Sequence, residues 1–416
     1  MPRISDATLR DSAHMAGVEF GPDDAAAIAR ALRQVGVDLV EVGLLSRSPA
    51  GDAPLIAAAH RAVGAENCLT LITVRSRQQV LEALAEAEGL GCRAVMLSLP
   101  ASAEHAALKL GSPSLRYLTK LAAHAIGEAK RRALHVTFSG EDAARADEER
   151  LISYAAAGFA AGADRFRLAE TVSCLTPSRC AELTARLKST PGVREIEVHC
   201  HNMLGMAVGN SLAAYEAGAE WISATVGGIG ERGGNTPLAE LLCALRVCHG
   251  DSRHTLTHLT ALNHEVQARA DLSTFVPGPL TPYSYAYEIP GQLANPGAYE
   301  NISAEEVGNT RTLRVRTRVS PPLLDWVLED SDRIDAFNAF NAFDAKGVDS
   351  KGIGTKGIDT EHFARWLKER QEHCGRPLLD RAAIRELAEE FALTHPPFPE
   401  ARPFPEERPS PEARPQ

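Results

Sequence analysis

One punctuation recurs along this chain and restricts its folds more than any other feature: a helix-like stretch, a glycine, a small or apolar residue, then a strand-like run. It occurs as Val35-Gly36-Val37-Asp38 ahead of LVEVG and as Leu90-Gly91-Cys92-Arg93 ahead of AVMLSL. It returns as Ala161-Gly162-Ala163-Asp164 ahead of RFRLAE and as Ala217-Gly218-Ala219-Glu220 ahead of WISATV. A glycine just past a helix end adopts the left-handed conformation that stops the helix and turns the chain into the next strand. With this punctuation, strands are predicted near 3–8, 38–43, 67–73, 93–98, 133–139, 164–169, 194–200 and 221–226. Ala-rich helical stretches fall between them, among them 22–34, 77–88, 114–132, 147–160 and 205–216. Strands alternating with helices imply a parallel sheet. Eight such units in about 250 residues fit a closed (β/α)8 TIM barrel. Periodicity does not count closure, so a doubly wound open sheet is the alternative.

The pattern changes after residue 254, giving a barrel over 1–254 and a smaller, mostly helical region over 255–394. That region holds a helix at 257–270, a Pro/Tyr-rich stretch at 276–299, a Lys-Gly repeat read as a loop at 346–358, and two amphipathic helices within 359–394. Residues 395–416 carry eight of the 25 prolines with Arg and Glu, a composition that reads as a disordered tail. The formal net charge of −10 argues against a general binder of phosphate backbones, so no nucleic acid is expected as a partner. No apolar run reaches the roughly 18–20 residues of a membrane span, and the N-terminus has no signal-like apolar region. The eight Cys include no C-x-x-C pair, which reads as reduced thiols in a cytoplasmic protein.

In a barrel of this kind the active site lies at the C-terminal ends of the strands. The predicted ends deliver Arg10 and Asp11, Glu41, Ser139 to Asp142, Glu170 and Thr171, His199 to Asn202, and the loop Gly228 to Asn235 to one rim. His199 and His201 are the sharpest local signal. A period of two puts both imidazoles on one strand face and Cys200 on the other. Two such imidazoles and a carboxylate from another strand make a metal site with open positions. Asp11 is the best carboxylate candidate, with Asn235 on the same rim. An isolated H-x-H is equally a surface or core pair; convergence on one rim favours the metal. Gly228-x-Gly230-x-x-Gly233 matches the dinucleotide fingerprint in letters only, because it follows the last strand of the series. A turn of close backbone approach beside a ligand is the better reading.

These residues carry a family resemblance. Asp6-Ala7-Thr8-Leu9-Arg10-Asp11 resembles the D-T-T-L-R-D signature of the DRE-TIM metallolyase superfamily. His199-Cys200-His201-Asn202 is similar to its H-x-H-N element, and Gly228 to Asn235 to its G-x-G-E-R-x-G-N loop. Ala101 to His105 with Lys109-Leu110, Ser139 to Ala143 with Arg145, Glu170-Thr171-Val172, and Tyr299-Glu300 with Val307-Gly308 resemble the isopropylmalate and homocitrate synthases. The resemblance implies an acetyl-CoA-dependent Claisen synthase acting on a 2-oxo acid, and a homodimer. It implies a divalent cation (Mn, Mg, Zn, Co or Fe) on Asp11, His199 and His201, with Asn235 a further candidate. Arg10 is then the oxyanion stabiliser, Glu41 and Glu141 orient Arg10 and the pocket, and Ser139 and Thr171 take the substrate carboxylate. His105 lies on the approach of the acyl-CoA or second substrate; taken alone it reads as a helix-cap or surface histidine.

Departures from the family bear on the substrate. Gly-Glu-Gln after L-R-D becomes Ser12-Ala13-His14, making His14 a candidate substrate contact. The Arg that reads a distal carboxylate in lysine-pathway homocitrate synthases is Thr137, which counts against 2-oxoglutarate. D-T-V-G becomes Glu170-Thr171-Val172-Ser173. The family's post-barrel F-x-H-x-S-G-I-H becomes Tyr283 to Glu288, so Tyr285, Tyr287 or Glu288 is expected to replace its histidine as base. The layout is similar to phosphonomethylmalate-type synthases of phosphonate biosynthesis. A lyase or aldolase of the same superfamily, and a non-catalytic binding relative, are the competing readings.

Overall fold

The computed structural model describes residues 1–45 and 51–270; beyond them it describes 272, 285–287, 292, 295–300, 304, 311–313, 324, 361–367 and 381–394. Eight parallel strands close into a barrel in sequence order. They are β1 (Arg3–Asp6), β2 (Leu39–Leu45), β3 (Cys68–Thr73), β4 (Ala94–Pro100), β5 (His135–Glu141), β6 (Arg165–Glu170), β7 (Glu195–Cys200) and β8 (Trp221–Ala224). Closure is the pairing of β1 with β8, in register from Arg3 opposite Trp221 to Asp6 opposite Ala224. That ladder excludes the open sheet. The predicted strands are met within two residues at either end: β1 and β8 stop two residues early, and β2, β4 and β5 run two further. In β2 the register shifts between Glu41 and Leu44, where Gly43 has a φ of +70°.

The helices are α1 (Thr8–Asp11), α2 (Pro22–Val35), α3 (Ala53–Val63), α4 (Arg77–Gly89), α5 (Ala103–Leu110), α6 (Leu115–Arg131), α7 (Glu148–Ala160), α8 (Pro177–Lys188), α9 (Ala207–Glu216), α10 (Leu238–His249) and α11 (Leu259–Arg269). The glycine punctuation behaves as its chemistry requires: φ is +101° at Gly36 and +106° at Gly218, and Gly91 and Gly162 are left-handed too. Outward strand residues such as Ile4, Val136, Phe138, Phe166, Ile196, Val198 and Ile222 form one apolar core with the helices. Leu259, Leu262 and Val266 of α11 belong to that same core.

The barrel interior is divided by chemistry. Leu69, Leu71, Ala94 and Met96 make a small separate apolar cluster on the β3–β4 side. Elsewhere the interior carries charge: Glu41, Arg165, Arg167 and Glu197 are all buried. After the barrel, Ala286–Tyr287 pairs with Thr312–Leu313 in parallel. Residues 361–367 and 381–394 are helical, as expected of 359–394, and Phe363, Leu367, Ile384, Ala388 and Phe391 pack together with Leu324. The Lys-Gly repeat, Val307-Gly308, Glu288 and the tail from 395 lie outside the described residues, as does most of the Pro/Tyr-rich stretch. Among the described residues no helix is long and apolar enough to cross a membrane.

Candidate metal centre and active site

The N-terminal motif works through one tight turn. Thr8 N donates to the Asp6 carboxylate (2.9 Å), and Val226 N donates to Thr8 Oγ1 (2.8 Å), tying the turn after β1 to the end of β8. Arg10 N and Asp11 N both donate to Ala7 O, so α1 presents Arg10 and Asp11 together at the rim. On β7, Ile196, Val198 and Cys200 enter the outer core, which leaves His199 and His201 facing inward. Asn202 N donates to Gly234 O (2.8 Å) and Asn235 N to Gly228 O (3.0 Å), fastening the glycine-rich loop over the end of β7. The glycines there answer to crowding. A Cβ on Gly230 would lie 1.9 Å from Asn235 Oδ1 and 3.0 Å from Asp11 Oδ2; one on Gly233 would lie 2.5 Å from Met203 Cα. This is the close-approach turn expected of the segment.

Asp11, His199 and His201 converge from two distant parts of the chain. One ligand atom of each lies within 4.8 Å of the others, and all three side chains are buried. The hydrogen bonds set the imidazole tautomers. His199 Nδ1 faces Ser223 Oγ at 3.0 Å, whose hydroxyl donates onward to Glu41 (3.4 Å), and His201 Nδ1 donates to Gly234 O (3.2 Å). Each Nε2 therefore carries the ring's lone pair, that of His199 standing 4.0 Å from Asp11 Oδ1, the arrangement in which outer hydrogen bonds orient metal-binding imidazoles. Burial, reinforced by Arg232, lowers His201 to about 4. Burial, with Arg10 and Arg167 nearby, lowers His199 well below its usual value, so both rings are neutral at pH 7. Burial opposes ionisation of Asp11, but the Arg10 guanidinium beside it holds its carboxyl below the usual carboxylate range. Asp11 Oδ2 and Asn235 Oδ1 are buried oxygens without a hydrogen-bond partner. Two neutral imidazoles, one ionised carboxylate and two unsatisfied oxygens suit a divalent cation.

Arg10 is held from behind. Its Nε and Nη2 donate to Glu41 Oε2 at 3.1 and 2.9 Å, and it also pairs with Asp11. Glu41 sits within β2, below the rim rather than at the strand end. It is shared with Arg167, whose Nη1 donates to Oε2 at 3.0 Å and whose Nη2 also bonds Glu41 Oε1 and, at 2.7 Å, Glu197 Oε1. Arg165 Nη1 donates to Glu197 Oε2 at 3.1 Å and stacks its guanidinium on Trp221, 3.4 Å from the ring centre. A ladder of alternating charge thus runs up the barrel axis to Arg10. Arg165, Arg167 and Glu197 were not among the residues expected of the site. Their signal was present in R-F-R and E-I-E-V-H-C-H, where every second residue of a buried strand is charged or ligating.

The remaining expected residues are spread around the rim. His14 is half-buried, and its charge is felt by both Asp11 and Glu231. Ser139 is buried at the inner face of β5, and Thr171 Oγ1 accepts from Asp142 N at 2.9 Å. His105 is neither a surface nor a capping side chain. It is fully buried, Nδ1 2.6 Å from Glu141 Oε1 and Nε2 3.0 Å from Ala298 O, with the Tyr299 ring at 4.9 Å. Glu141 also accepts from Lys109 Nζ (2.5 Å) and has no contact with Arg10; against the cost of burial, Lys109 and His105 hold it below the carboxylate range. Tyr285 is buried against Met203 and Ala304. Tyr287 donates to Glu300 Oε1 (2.8 Å), which Arg311 clamps from the other side at 2.6–2.7 Å.

Residues 1–266 match the HMGL-like family. The chain belongs to that family. Over 325 residues it is 33% identical to the (R)-citramalate synthase of Methanocaldococcus jannaschii, covering 75% of this chain but 63% of that one. Over 320 residues it is 31% identical to the 2-isopropylmalate synthase of Sulfolobus acidocaldarius, covering 75% and 81%. The HMGL-like barrel also resembles the solved HMG-CoA lyase of Brucella melitensis, with a TM-score of 0.57, 18% identity and coverage of 65% and 99%, a likeness of fold. The superfamily resemblance read from the motifs agrees with this assignment.

Glu170 offers a test of the HMGL-like rim without any ligand. It is fully buried and accepts from Leu175 N (3.2 Å) and Cys174 N through one oxygen, leaving Oε2 without a partner. Burial raises its carboxyl from 4.5 to about 8. An acid whose folded pKa lies above its unfolded value contributes stability that is whole below the unfolded pKa and lost as pH rises through the folded one. Glu170→Gln keeps the acceptor and cannot ionise. Urea unfolding is expected to show wild type losing stability against this variant from pH 5 to 8, by on the order of 3–5 kcal/mol. Parallel curves would mean that Glu170 is already ionised in the folded chain.

Proposed function

We propose that this chain is an acetyl-CoA-dependent synthase that condenses an acetyl unit with a 2-oxo acid and releases a 2-alkylmalate-type product. The observation that carries the reading is the meeting of Asp11, His199 and His201 beside an Arg10 fixed by Glu41. Asp11, His199 and His201 would hold a divalent cation, Asn235 serving as a further ligand. Bound there, it supplies Lewis acidity toward the carbonyl of a chelated 2-oxo acid. Arg10, preorganised by the carboxylate behind it, donates to the alkoxide that develops on the ketone oxygen. Ser139 and Thr171 take the substrate carboxylate, and His14 lies toward its distal end. His105, Glu141 and Lys109 line the approach of the thioester. Tyr285 and Tyr287 are the described candidates for moving the acetyl proton; Glu288, the third, lies outside the described residues.

The bonds balance with water as the one further reactant. The acetyl methyl gives a proton to the base and forms the new bond to the keto carbon. The carbonyl electron pair goes to oxygen, which is then protonated. Water cleaves the thioester and releases the CoA thiol. The finer reading is a short 2-oxo acid with an anionic distal group, such as phosphonopyruvate or oxaloacetate. It rests on Thr137 in place of the distal-carboxylate arginine and on His14. A cytoplasmic homodimer belongs to the same reading.

The test is thiol release from acetyl-CoA with oxaloacetate, 2-oxoglutarate, 2-oxoisovalerate, pyruvate and phosphonopyruvate. A short, distally anionic acid is expected to be fastest, and a chelator to stop turnover. Preference for 2-oxoisovalerate would overturn the distal-anion reading; no thiol release with any acid in the presence of Mn2+ would overturn the synthase.

A further inference from the structure

Both nitrogens through which the imidazoles would grip a cation are already engaged. Asn235 Nδ2 lies 3.3 Å from His199 Nε2, and Arg232 Nη2 lies 3.0 Å from His201 Nε2. Since each Nδ1 points to its own oxygen acceptor or hydroxyl, both contacts are N–H groups donating into the Nε2 lone pairs. The two donors differ in what they can become. A half-turn of the Asn235 amide presents an oxygen, and that oxygen is now buried without a partner. A guanidinium has five N–H donors and no acceptor. Arg232 also carries the same sign of charge as a metal ion, and its side chain is 3% exposed. It cannot share His201 with a cation and must leave.

The structure contains a destination. Arg232 Nη1 already stands 2.9 Å from Glu231 Oε2 as an ion pair, and neither Nη1 nor the buried Nε makes a hydrogen bond. Glu231 in turn accepts from Gln292 Nε2 at 3.2 Å, a residue of the post-barrel segment. We propose that Arg232 is a place-holding cation: in the metal-free chain it occupies the His201 lone pair and offsets the Asp11 carboxylate, and metal loading expels it onto Glu231. This rests on the reading that Asp11, His199 and His201 hold a divalent cation. The metal-free site is then a paired, folded arrangement instead of an exposed anion. Metal affinity is held down by the work of displacing Arg232. Loading also changes what competes with Gln292 for Glu231, which couples the metal to the post-barrel segment.

The experiment uses the full chain stripped by chelator, with Mn2+ as the probe. Calorimetric titration of wild type, Arg232→Met and Arg232→Gln is expected to show both variants binding Mn2+ at least tenfold tighter. Without metal both are expected to melt below wild type, and with saturating Mn2+ to close that gap. Hydrogen exchange in wild type is expected to change around Gln292 when Mn2+ is added. Variants that bind no tighter than wild type, or exchange at Gln292 indifferent to Mn2+, would overturn the place-holder. The exchange measurement decides it even where a variant does not fold. A wild-type chain that binds no Mn2+ while remaining folded would instead overturn the metal centre itself, and the place-holder with it.

Discussion

His199→Ala is expected to lose metal and turnover together while keeping its fold. The ring is buried but closes the site from one strand only, and its removal leaves Asp11 and His201 as a two-ligand remnant. Loss of Lewis-acid assistance costs several kcal/mol of transition-state stabilisation, on the order of 10³-fold or more in rate. Metal content after dialysis, thiol release and the far-ultraviolet circular dichroism spectrum measure the three quantities separately. A variant that retains one equivalent of metal and near-normal turnover would place the chemistry elsewhere on the rim. Unfolding would mean that His199 is held chiefly for its bond to Ser223.

The largest effect on stability is expected from Arg167→Met. This guanidinium is buried between Glu41 and Glu197 and bonds to both. Removing one member of a buried ion cluster leaves uncompensated charge in a medium that solvates it poorly, at a cost of about 3–5 kcal/mol. Urea unfolding should register that loss. The defect should also reach the active site. Glu41 is held below the usual carboxylate range, against burial, by Arg167 and Arg10 together. Freed from one partner, it is no longer fixed behind Arg10, and kcat is expected to fall with little change in KM. A loss below about 1 kcal/mol, the range of a solvated surface pair, would show that water reaches the ladder.

Much of the site was legible as a pattern of positions. Alternation along E-I-E-V-H-C-H puts His199 and His201 on one face, and the strand–helix count puts that face at the rim that also receives Asp11. His105 shows where such reading stops. Its helix begins at a Ser102 cap, a local feature, but the ring's partners are Glu141 on the next strand and Ala298 from beyond the barrel, 193 residues away. Nothing near His105 in the chain distinguishes a buried, doubly bonded ring from an exposed one. Glu41 was read as a strand-end residue because a strand's length is the weakest part of its signal; β2 continues past it through a register shift.

Element order, the glycine stops and the facing of the two imidazoles were contained in the sequence itself. Helix caps and two-residue alternation are decided within a few bonds of the residue concerned. Which charges meet across the barrel was decided only by closure. Glu41 and Arg167 stand 126 positions apart, and Arg232 and His201 stand 31 apart with a helix and a strand between them. Such pairs are selected by strand tilt and stagger around the ring, and by the cost of leaving any buried charge alone, neither of which has a local signature.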